Sequence, residues 1–175
     1  MTIGRIVLSP WIFWMIISNR DVGGTSWLLF IVSVVFGLTD FLDGYVARWT
    51  NSVGRLGAFL DPLADKIVVL GAAISYVWIG RYLWVPVAVM TAREVAVSLM
   101  RVRFAAEGLA MPARNSGKWK AMVQAAALLM AAAPPLQNQN TLVQGALWFA
   151  VAFTVFTGWQ YFNDGRTATR TTGKR

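Results

Sequence analysis

Six apolar runs, each long enough to cross or nearly cross a bilayer at about 20 residues per span, fill most of this 175-residue chain. They lie at about 3–18, 25–48, 57–80, 82–106, 117–136 and 141–162. The breaks fall at Asn19 to Gly24, Trp49 to Leu56, Gly80-Arg81, Glu107 to Gly117, and Pro134-Pro135 with the polar Gln137 to Asn140. With 57% hydrophobic residues, 14% charged residues and nine Trp, the composition does not suit an ordinary soluble domain. The expected fold is all-α and integral to the membrane, with six transmembrane helices. The first run, which lacks a small-x-small cleavage site at Ile16 to Arg20, reads as a span rather than a signal peptide. There is no internal repeat. Residues 1–163 are expected to form one transmembrane domain, followed at 164–175 by a basic tail that carries no apolar period and is expected to be disordered near anionic headgroups.

Sixteen Lys and Arg against eight Asp and Glu give a net charge of +8. Such a balance suits nucleic acid when a soluble fold displays it on one face; here the bases stand at the edges of apolar runs, so no nucleic-acid partner is expected. They report orientation instead. The loops after the first, third and fifth runs hold Arg20 and Arg81 alone, while Arg5, Arg48, Arg55, Arg101, Arg103, Arg114, Lys118, Lys120, Arg166, Arg170, Lys174 and Arg175 fall on the opposite side. By the positive-inside rule that side is cytoplasmic, and an even number of spans puts both termini there.

The chain has no His and no Cys. Disulfides, thiolate nucleophiles, imidazole bases and His- or Cys-ligated metals are therefore excluded, which leaves carboxylates, cationic side chains, hydroxyls and hard metal ions for any chemistry. Four of the eight acids interrupt the second and third runs: Asp40 and Asp43, then Asp61 and Asp65, with Lys66 next to the last. An ionisable group at mid-span costs about 2.5–3.5 kcal/mol on insertion scales, so a group of them needs a compensating function. On helices Asp40 and Asp43 are i,i+3 neighbours and Asp61 and Asp65 are i,i+4 neighbours, so each pair shares a face. A short connection makes the two helices antiparallel neighbours, and the four carboxylates meet near the cytoplasmic end. Without a cation between them they would raise one another's pKa until some lost their charge. Oxygen-only ligation suits Mg²⁺, Mn²⁺ or Ca²⁺, and four Asp can bridge two ions as in two-metal phosphoryl-transfer sites. Gly44, Ala47 and Gly57 stand one turn from Asp40, Asp43 and Asp61 and keep the acidic faces free of bulk, while Arg48 ends the second run with a fork suited to phosphate oxygens. Two further readings use the same residues: helix-packing ion pairs of the acids with Arg48, Lys66 or Arg93, and a cation pathway lined by acids.

As one string, Asp40-x2-Asp43-Gly44-x2-Ala47-Arg48-x8-Gly57-x3-Asp61-x3-Asp65 resembles the signature of the CDP-alcohol phosphotransferase family. The resemblance implies a six-helix membrane enzyme, a homodimer, that moves a phosphatidyl or similar group from a CDP-linked donor to an alcohol and releases CMP. It implies two divalent cations, Mg²⁺ or Mn²⁺, held by Asp40, Asp43, Asp61 and Asp65, with Asp65 as the base for the attacking hydroxyl. It also assigns the cytidine diphosphate to Asp40, Gly44, Ala47, Arg48 and Gly57. Gly57 to Lys66, Ala92-Arg93-Glu94, Arg101 and Gly117-Lys118-x-Lys120-x3-Gln124 are similar to a bacterial branch of the family. In that branch the donor is CDP-diacylglycerol and the acceptor glycerol 3-phosphate, at the cytoplasmic side of the inner membrane. The likeness spans about residues 4–125; the last run adds little, and the branch's usual Pro-Asn-x-Leu-Thr stretch before Arg5 is absent. Competing readings keep the chemistry with inositol phosphate, serine or phosphatidylglycerol as acceptor, or make the acidic cluster the core of a divalent-cation transporter.

An acceptor with its own phosphate needs cationic ligands, and Arg93, Arg101, Lys118 and Lys120 are the candidates; Arg101 falls about 80° around the helix from Arg93. A structural ion pair of Arg93 with an Asp or Glu is the alternative use of that residue. Trp11, Trp14, Trp27, Trp78, Trp84, Trp148 and Trp159 lie towards run ends and read as interfacial anchors. The small residues Ala125–Ala127 and Ala131–Ala133 suit close helix packing, including a dimer contact.

Overall fold

The computed structural model describes the backbone of residues 2–49, 55–106 and 115–172 and the side chains of 4–39, 64–104, 106, 117 and 119–162. Its elements are α1 (Thr2–Ser18), α2 (Trp27–Trp49), α3 (Arg55–Trp78), α4 (Trp84–Ala106), α5 (Asn115–Ala132) and α6 (Asn140–Thr172), with 3-10 turns at Arg20–Val22 and Pro134–Leu136. Among the described residues there is no strand, so the all-α expectation holds.

Local chemistry sets the breaks. Gly23 and Gly24 take φ of 66° and 71°, a left-handed turn that a side chain disfavours, and reverse the chain between α1 and α2. Pro134 and Pro135 end α5. Pro10 lies inside α1 and has no N–H for the carbonyl of Ile6; the Ser9 hydroxyl donates to that carbonyl instead at 3.0 Å, and the helix continues. At the other terminus α6 runs on to Thr172. That helix continues past the end of the apolar run because extending an existing helix adds one hydrogen bond per residue fixed and needs no new nucleus.

α1 packs along α3, α5 along α6, and α4 across α6. The apolar core, which includes Ile12, Ile16, Ala73, Tyr76, Met90, Ala131, Val143 and Leu147, occupies the half of the bundle nearest the α1–α2, α3–α4 and α5–α6 connections. There the ring of Phe13 lies so close to Gly71 that a Cβ would come within 2.2 Å of it. Ala127, Ala131 and Ala132 are buried within the chain, while Ala125 and Ala126 remain exposed. Arg81, only 5% exposed, ties two connections together. Its guanidinium donates to the carbonyls of Leu136 and Gln137, both at 2.6 Å, and to the Asn140 side chain at 2.5 Å. Those carbonyls lie in the connection between α5 and α6, where that of Leu136 also accepts the Gln139 N–H at 3.0 Å.

The outer surface is apolar. Trp27, Leu28, Ile31, Val35 and Leu38 form an exposed stripe along α2, and Trp11, Trp14, Trp78, Trp84, Trp148 and Trp159 are exposed as well. A surface of this kind is unfavourable in water and ordinary against hydrocarbon. Among the described residues Asn140–Phe162 is the one helix both long and apolar enough to cross a membrane, with shorter apolar stretches at Gly4–Ser18, Trp27–Thr39 and Trp119–Ala132. These features are those of a membrane protein.

Candidate active site

The site residues expected from the sequence belong to the half of the bundle opposite the apolar core. Asp40, Asp43, Gly44, Ala47 and Arg48 belong to the second half of α2, Gly57 and Asp61 to the start of α3, and Lys118 to the first turn of α5. Their side chains lie outside the described residues. Asp65 is described. Its side chain is 54% exposed, and its carboxylate accepts a hydrogen bond at 2.5 Å from the guanidinium of Arg5, which is 14% exposed. α1 and α3 run in the same direction, so the packing of Phe13 on Gly71 brings Arg5 to the level of Asp65 one to two turns below. Among the described residues no group of three or more acids stands together, and Asp65 supplies one hard oxygen donor that is already paired with the Arg5 cation.

A second cluster joins α3, α4, α5 and α6. Glu94 is 4% exposed, and its Oε1 accepts from Lys120 Nζ at 2.5 Å and from Arg93 Nη1 at 2.9 Å. Lys66 turns towards α4 and donates to the hydroxyl of Ser98, which itself donates to the Glu94 carbonyl at 2.5 Å. A buried carboxylate is tolerated only when paired and hydrogen-bonded, and Glu94 is both. Lys66, Arg93 and Lys120 nevertheless leave this group with more positive than negative charge.

Arg101 lies further along α4 and stays exposed. Its Nη2 donates to the Tyr161 hydroxyl at 2.9 Å, and its Cζ sits 4.9 Å from the centre of that ring, within cation–π range. Of the four residues expected at an acceptor phosphate, the structure brings Arg93 and Lys120 together on Glu94 and sets Arg101 apart on Tyr161. α6 also receives Arg93 Nη2 on Thr157 Oγ1 at 2.9 Å and Gln124 Nε2 on Thr154 Oγ1 at 3.0 Å. A Cβ on Gly158 would stand 2.9 Å from Arg93 Nε, and one on Gly117 would stand 3.3 Å from the Tyr161 hydroxyl.

The α5 motif is thus one helical face: Gly117 against Tyr161, Lys120 on Glu94, and Gln124 on Thr154. Sequence reasoning missed the α6 residues that meet it. The available signal was the polar stripe Thr154, Thr157, Tyr161 at i, i+3 and i+7 in an otherwise apolar helix. The Arg5 pairing with Asp65 was missed too.

A sequence model of CDP-alcohol phosphatidyltransferase matches residues 1–156. The chain is similar to the "CDP-diacylglycerol--glycerol-3-phosphate 3-phosphatidyltransferase" of Bacillus subtilis (strain 168), with 36% identity over 188 residues that cover 98% of this chain and 95% of the relative. The protein of the same name from Escherichia coli (strain K12) is 32% identical over 172 residues, 95% of this chain and 92% of its own. That from Haemophilus influenzae is 35% identical over 132 residues, 73% and 70% respectively. A signature read from spacing, a helical frame that carries it and a match across most of the length agree, and the chain belongs to the CDP-alcohol phosphatidyltransferase family.

Proposed function

We propose that this protein transfers the phosphatidyl group of CDP-diacylglycerol to glycerol 3-phosphate, giving phosphatidylglycerophosphate and CMP in phospholipid biosynthesis. The reading is carried by its near full-length similarity to relatives named for that reaction. All six helices cross the inner membrane of a bacterium, both termini are cytoplasmic, residues 1–163 form one catalytic domain, and the site faces the cytoplasm. The apolar outer surface and the twelve-to-two division of loop bases support this placement. Two copies form a homodimer, for which the exposed Ala125 and Ala126 offer a close-packing face.

Asp40, Asp43, Asp61 and Asp65 hold two divalent cations, Mg²⁺ or Mn²⁺. When bound, such cations neutralise the donor pyrophosphate and stabilise the departing CMP. Gly44, Ala47 and Gly57 leave room for the cytidine diphosphate, which Asp40 and Arg48 contact. Asp65 accepts the proton of the acceptor hydroxyl. The acceptor oxygen then attacks the lipid-linked phosphorus in line, and the bond from that phosphorus to the CMP oxygen breaks with its electron pair leaving on CMP. Arg93, Arg101, Lys118 and Lys120 bind the acceptor's own phosphate. The surplus of cations around Glu94 and the exposure of Arg101 support this assignment.

Purified protein is expected to release CMP from CDP-diacylglycerol only when glycerol 3-phosphate and Mg²⁺ or Mn²⁺ are both present. Absence of CMP with every acceptor overturns the transferase reading.

A further inference from the structure

We propose that α6 is the acceptor-positioning element of this enzyme. In this role Tyr161 holds Arg101, while Thr157 and Gly158 hold Arg93, in the orientation that receives the phosphate of glycerol 3-phosphate; the inference rests on the function proposed above. The arginines stand eight residues apart on α4, and each is anchored to α6 from its own side. Tyr161 is 3% exposed and Thr157 0%, so both are fixed by packing before any ligand arrives. Arg101, by contrast, is exposed. An exposed arginine free to sample its rotamers loses that freedom on binding an anion, and a neighbour that has already ordered it removes much of the loss.

Tyr161 orders Arg101 in two ways, through a 2.9 Å hydrogen bond to one nitrogen and through a ring 4.9 Å from the guanidinium carbon. The remaining guanidinium N–H groups keep their donor capacity. Gly117 stands beside the tyrosine hydroxyl without a side chain to displace it. Arg93 is held on both sides, by Glu94 at 2.9 Å and Thr157 at 2.9 Å, and its stem rests where Gly158 has no Cβ. Its Nε has no hydrogen-bond partner among the described residues. Thr157, Gly158 and Tyr161 occupy i, i+1 and i+4 of α6, one continuous patch of the helix.

Tyr161→Phe keeps the ring and removes the hydrogen bond, and Thr157→Val removes the acceptor for Arg93 while keeping the shape. In steady-state CMP-release assays each is expected to raise the KM for glycerol 3-phosphate by about tenfold, the scale of a lost hydrogen bond to a charged group. The KM for CDP-diacylglycerol is expected to stay at its wild-type value in both variants, and the unfolding temperature in Tyr161→Phe; Thr157→Val, which leaves a buried Arg93 N–H without its acceptor, is expected to lower it by a few degrees. Tyr161→Leu, which also removes the ring, is expected to raise the acceptor KM further. An unchanged acceptor KM in both conservative variants overturns the positioning role, and so does an equal rise for both substrates. If the wild-type protein releases no CMP with glycerol 3-phosphate, the assigned reaction fails first and this inference with it, an outcome distinct from an active wild type with indifferent variants.

Discussion

Asp61 and Glu94 both interrupt apolar runs of the sequence, yet they carry different expectations. Asp61 belongs to the proposed cation-binding set, so Asp61→Ala is expected to lower turnover by two to three orders of magnitude, on the order of 10² to 10³ or more, with little effect on folding. Near-normal turnover at saturating Mn²⁺ would contradict the two-cation proposal. Glu94 is a buried counter-charge for Arg93 and Lys120, so Glu94→Ala is expected to destabilise the fold by about 3–5 kcal/mol, measured by unfolding in detergent. A loss below about 1 kcal/mol would mean that water reaches the two cations once the carboxylate is gone. At this scale the sequence was informative where a motif lies along one helix, as for Gly117, Lys120 and Gln124, which meet Tyr161, Glu94 and Thr154 from one face of α5. It was silent on partners that only packing supplies. Nothing near Arg5 indicates Asp65, sixty residues on, and nothing near Arg101 indicates Tyr161.

The helices themselves were legible because hydrophobic length and Gly or Pro punctuation are local properties. What joins them was less so. Arg81 counted in the sequence only as one base on the sparsely charged side, whereas it is a buried clamp on the connection between α5 and α6. The α1–α3 contact depends on a residue with no side chain. Gly71→Leu is expected to force Phe13 from its place and to destabilise the protein by about 1–3 kcal/mol, with part of the loss recovered when Phe13→Ala is added. Additive losses in the double variant would show that the ring is not what the new side chain meets. Helix α6 runs on to Thr172, beyond the last apolar run, because that run marks where a bilayer would end and not where a helix must stop.

At the scale of the whole molecule, charge is divided between two ends. In the proposed arrangement the acids of the signature and most of the bases share the cytoplasmic end, which would give a protein of net charge +8 a locally acidic site. With no native cysteine, topology can be mapped by single substitutions. Asn138→Cys is expected to react with a membrane-impermeant maleimide added to intact cells, and Thr171→Cys only after the membrane is opened; labelling of both in intact cells would refute an even number of spans. The most direct test of the central claim is the lipid product itself. Purified protein in vesicles that contain CDP-diacylglycerol and Mg²⁺ is supplied in turn with glycerol 3-phosphate, inositol phosphate, serine and phosphatidylglycerol. The account predicts phosphatidylglycerophosphate, formed one for one with CMP, from glycerol 3-phosphate alone. CMP release matched to any other product would contradict it.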